Sequence, residues 1–82
     1  MSNFGVIIRR KNKNEEGFLL LVVSDKVLDT YSRDHDFIIK FGLTESEALA
    51  MRNWIEESLI NLHRSTGVSM KDLVNNVFFG GE

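Results

Sequence analysis

"LTESEALAMRNWIEESLINLHRSTG", residues 43–67, is where the hydrophobic period of the chain changes, and that change decides the fold. Thr44 followed three residues later by Glu47 is a capping box. Each side chain takes up a backbone N–H that the first helical turn leaves unpaired. Leu43, just before the cap, is placed to staple onto Ala48. Acids in the first turn and Arg64 near the end suit the helix dipole. Gly67 supplies a left-handed stop, with Val68 positioned for the hydrophobic contact that often follows. At about 100° per residue, Ala48, Met51, Ile55, Leu59 and Leu62 share one stripe, with Trp54 on its shoulder. A long core-facing helix is predicted.

Upstream, the pattern is that of strands. Phe4–Arg10 is rich in β-branched residues (Val6, Ile7, Ile8), and Phe18–Ser24, "FLLLVVS", follows Gly17. Between them, Lys11–Glu16 is all Lys, Asn and Glu, a composition suited to a reversing loop. Asp25–His35 is polar and irregular, with room for a short strand. Asp36–Phe41 alternates, with Phe37, Ile39 and Phe41 on one face and Ile38 and Lys40 on the other. Downstream, Ser69 and Asp72 give a second capping signal. A second helix follows, with Met70, Leu73, Val74, Val77 and Phe78 on one side, and Gly80–Gly81 ends it. The predicted order is β-β-β-α-α, a small antiparallel three-stranded sheet with two helices packed on it, in one α+β domain spanning residues 1–82.

Composition narrows the function classes. The chain has 82 residues, a net charge of −2 and no cysteine, so disulfides and thiolate metal sites are excluded. Residues 1–33 carry six Lys/Arg against four acids, whereas residues 34–82 carry four against eight. The longest apolar run, Phe18–Val23, is far too short to span a membrane. The N-terminal segment places its apolar residues before its charges, the reverse of a secretory signal. A soluble, intracellular and cytoplasmic protein is expected.

Chemistry for an enzyme is sparse. No serine stands in a nucleophile elbow. The aspartates of Asp34-His35-Asp36 point opposite to the histidine on an extended chain. Glu56 and Glu57 diverge by about 100° on a helix, which prevents a shared proton. The expectation is a non-enzymatic protein without metal or cofactor.

Two binding readings remain. In "FLLLVV", Phe18, Leu20 and Val22 face one way and Leu19, Leu21 and Val23 the other, which predicts burial on both faces. Either the helices divide between the faces or a partner covers the second. Leu49 and Ile60 lie about 100–120° from Ala48 round the helix, off the core stripe. Phe78 and Phe79 close the second helix. These residues, with the acids Glu45, Glu56 and Glu57, form the expected protein interface, and a homodimer is anticipated.

The alternative is nucleic-acid binding, through Arg9, Arg10, Lys11 and Lys13 of the hairpin, Lys40 of the third strand, and Lys71, Asn75 and Asn76 of the last helix. The β-β-β-α order with Thr44, Glu47 and Ala48 opening the helix resembles the arm-binding domains of phage-type integrases and HicB-like antitoxins. "STGVSMKDLVNN" resembles the turn of a helix-turn-helix, and "DFIIKF" before a helix is similar in order to a ribbon-helix-helix protein. These resemblances imply DNA contact. The leading expectation is instead a self-associating protein-binding module that occludes a host protein, in the style of phage and mobile-element accessory proteins.

Overall fold

The computed structural model describes residues 3–10, 17–30 and 36–80. Three strands, β1 (Phe4–Arg10), β2 (Phe18–Ser24) and β3 (Asp36–Leu43), form one antiparallel sheet, followed by helices α1 (Glu45–Thr66) and α2 (Met70–Phe78). The β-β-β-α-α order predicted from sequence is the observed one.

The strand order is β2-β1-β3, so the strand buried on both faces is β1, not β2. Val6, Ile7 and Ile8 are all 0 % exposed. Burial contributes about 1.5–3 kcal/mol for each such side chain. β2 is an edge strand, and Leu19 is 45 % exposed. A run of apolar residues does not fix lateral order; the central place belongs to the strand that both others pair with.

Both helices lie on one face of the sheet. Val6, Ile8 and Leu20 meet Ala48, Ile55, Leu59, Leu73 and Val74 in one core. The helices therefore do not divide between the faces. The second face is nevertheless closed at its centre, because Ile7 and Val23 are buried there within a single chain. Part of that cover is the Phe41 ring, which lies against Gly5.

Phe41 reaches that face because β3 is bulged. Ile38 pairs with Ile7 and Lys40 with Val6, leaving an extra residue in β3. A bulge resets the inward–outward alternation beyond it. Phe37 and Ile39 face the helices, whereas Phe41 turns to the opposite side instead of joining them as the simple alternation predicts.

The predicted caps form as read. Thr44 Oγ1 accepts from the Glu47 N–H (3.1 Å), and Glu47 Oε1 accepts from the Thr44 N–H (2.8 Å). That backbone hydrogen bond, then the Thr44 hydroxyl and the nearby Lys40 charge, hold the Glu47 carboxyl below its ordinary range. Gly67 ends α1 at φ 73°, and Ser69 Oγ accepts from the Asp72 N–H (3.1 Å) to start α2. After β2 comes a 3-10 helix, Asp25–Thr30, where the sequence left room for a strand. The rest of that segment and the Lys11–Glu16 loop lie outside the described residues.

Candidate functional site

A groove runs between α1, α2 and β3, with a volume of about 280 Å³. Ile39, Met51, Ile55, Leu59 and Phe78 form its floor and walls, and Ser58 is its one polar lining residue. Its rim is Trp54, 66 % exposed, with Val77 at 58 % and Leu62 at 43 %. No charged side chain lines it. A contiguous apolar surface of this kind is the usual mark of a docking site for another apolar surface.

The groove lies where α1, α2 and Ile39 of β3 come together without closing. The stripe read as core is core at Ala48, Ile55 and Leu59 and surface at Leu62. Trp54, on the shoulder, stands over the same opening.

The residues expected at a protein interface are dispersed. Leu19, Glu56 and Ile60 come together with Phe18, Arg52 and Met70 at a second groove, along the β2 edge. There Arg52 Nε donates to the Leu20 carbonyl (2.9 Å), and Arg52 Nη2 lies 3.4 Å from Glu56 Oε2. An edge strand is thereby blunted by a charged side chain, as edges commonly are. Leu49 is exposed on the same flank of α1, while Leu21 is half-buried on the far face of the sheet. Val23 is 2 % exposed and cannot be an interface residue in this fold. Glu45 and Glu57 are solvated, and only Phe78 among the set lines the Trp54 groove.

The nucleic-acid set is divided by the fold. Arg10 is buried on the helix face, where its Nη1 donates to Asn75 Oδ1 (3.0 Å) and its guanidinium carbon sits 4.3 Å from the Phe79 ring centroid. Phe37 meets both Phe78 and Phe79. Arg10 and Asn75 thus join β1 to α2 and are withdrawn from any phosphate or base. Arg9, on the opposite face, lies 3.8 Å from Asp36. Lys40 and Asn76 are exposed, Lys71 is half-buried, and Lys11 and Lys13 lie outside the described residues. No three exposed cations in this set are brought together among the described residues.

His63 Nδ1 lies 2.7 Å from the Val68 carbonyl, in the turn between the helices, so the histidine helps to close that turn. Among the described residues no group of three or more His, Asp or Glu is placed to hold a metal ion. None of the described helices is long and apolar enough to cross a membrane.

Sequence reasoning placed Leu62 on the core stripe, Trp54 on its shoulder and Val77 on the packing side of α2, whereas the structure exposes all three. One signal was present, the position of Trp54 off the main stripe. It does not say where α2 will fold back, and α2 makes the second wall. No known protein family, curated protein or solved structure matches this chain.

Proposed function

We propose that this chain is a small, non-enzymatic protein-binding module whose working surface is the groove rimmed by Trp54, Leu62 and Val77. The observation that carries the reading is the lining itself: apolar throughout except for Ser58, with the chain's one tryptophan mostly exposed at its edge. Tryptophan is among the residues that most often dominate binding energy, because a large rigid side chain loses little entropy when buried. Absence of charge in the lining favours an apolar protein surface over a phosphate backbone, whose recognition needs cations. Such a module acts by covering a surface of another protein, the style of action of small phage accessory and inhibitor proteins.

The test compares proteins retained from a host extract by the intact chain and by Trp54→Glu, after nuclease treatment and with matched circular dichroism. The expected result is one or a few proteins retained by the intact chain and lost with Trp54→Glu. Retention that vanishes with nuclease and is untouched by Trp54→Glu would support nucleic-acid binding and contradict this reading.

A further inference from the structure

We propose that Arg52 guards the β2 edge of the sheet: its guanidinium holds the place that a docking strand would take, and without it two copies of this chain join through β2. This surface is separate from the Trp54 groove, and its test is independent of the protein-binding reading.

Strand β2 carries no protection of its own. Edge strands are commonly kept from pairing by a charged residue, a proline, a bulge or shortness. "FLLLVVS" has neither charge nor proline, and its seven residues pair with β1 in continuous register, without a bulge. Leu19 is exposed on it. The opposite edge of the sheet differs, because β3 is bulged and carries exposed Lys40. An uncharged, apolar strand of this length is the kind that pairs with copies of itself.

The protection comes from α1. The N–H and C=O of one antiparallel residue point to the same side, and the side alternates along the strand. The Leu20 carbonyl accepts from Arg52 Nε (2.9 Å), so it faces away from β1. The backbone groups of Phe18, Leu20 and Val22 therefore line the outer edge, while those of Leu19, Leu21 and Val23 turn to β1. Leu20 lies within that outward row, and a donor placed there interrupts any strand laid along it.

The guanidinium is fixed in this position. Arg52 Nη1 donates to Asn53 Oδ1 (2.9 Å), and Nη2 lies 3.4 Å from Glu56 Oε2. All three nitrogens are engaged. A second copy's β2 would have to displace a hydrogen bond from a charged group and cover a cation. With no acid in "FLLLVVS", it has nothing to offer that cation in return.

The test compares Arg52→Ala with the intact chain by sedimentation equilibrium over a concentration series, at matched circular dichroism. Each of two pairing copies must give up the guarding bond. Its removal should therefore lower the concentration of half-association by about tenfold or more. Adding Leu19→Lys to Arg52→Ala puts a charge in the strand itself and should restore the mass of the intact chain. In the associated variant, the Leu20 and Val22 amides should gain hydrogen-exchange protection, which loss of core packing would not give. Arg52→Met keeps the stem but neither charge nor donor, and takes the same test where the alanine variant unfolds. Association no stronger than that of the intact chain would overturn the proposal. So would association that Leu19→Lys leaves untouched, or that protects neither amide. In the intact chain, the Arg52 Nε–H should exchange with water about tenfold more slowly than that of exposed Arg64. Equal exchange would show that Arg52 does not hold the edge.

Discussion

Gly5 shows how a single residue can be fixed by contacts distant in sequence. A Cβ there would collide with the Phe41 ring and the Lys40 carbonyl. A ring can turn aside, but a carbonyl held in the β1–β3 ladder cannot. Overpacking of this kind costs about 1–3 kcal/mol. Gly5→Ala should therefore lower the urea midpoint by the equivalent of about 2 kcal/mol without changing the slope of the transition. A loss within about 0.5 kcal/mol, the range of an ordinary surface change, would show that the Lys40 carbonyl does not crowd Gly5. In the sequence Gly5 reads as isolated punctuation, since its need for glycine arises only once the β3 bulge swings Phe41 across the sheet. The caps at Thr44, Glu47, Gly67 and Ser69 were legible because capping is local: donor and acceptor lie within a turn of each other.

Between elements, the join of α2 to the sheet depends on a buried cation. Arg9 and Arg10 look alike in the sequence, but adjacent strand residues point to opposite faces. One meets Asp36 on the far side, and the other is buried between Asn75 and Phe79. The period of two was readable, so a shared basic patch was already improbable on geometry. Which face the helices would take was not readable, and that choice decided which arginine was buried. Lateral order was hidden for the same reason: β2 has the longer apolar run, yet β1 pairs on both sides. A hydrogen bond to a charged group contributes about 1.5–3 kcal/mol. Asn75→Ala should cost about that much in chemical denaturation, and α2 amides should lose hydrogen-exchange protection before those of α1 do. Uniform loss of protection across both helices would contradict a join confined to α2.

For the molecule as a whole, the Trp54 side of α1 is left as surface. α2 folds back beside it and completes a groove with an apolar lining interrupted only by Ser58, rimmed by the sole tryptophan. The fold class was legible because period and capping are properties of the sequence. The site was not, because it is made where two helices and a strand meet. The most direct test is acrylamide quenching of Trp54 fluorescence in the dilute chain. The account predicts red-shifted, readily quenched emission, as an indole exposed at the rim of an open groove gives. Blue, protected emission would contradict the open groove.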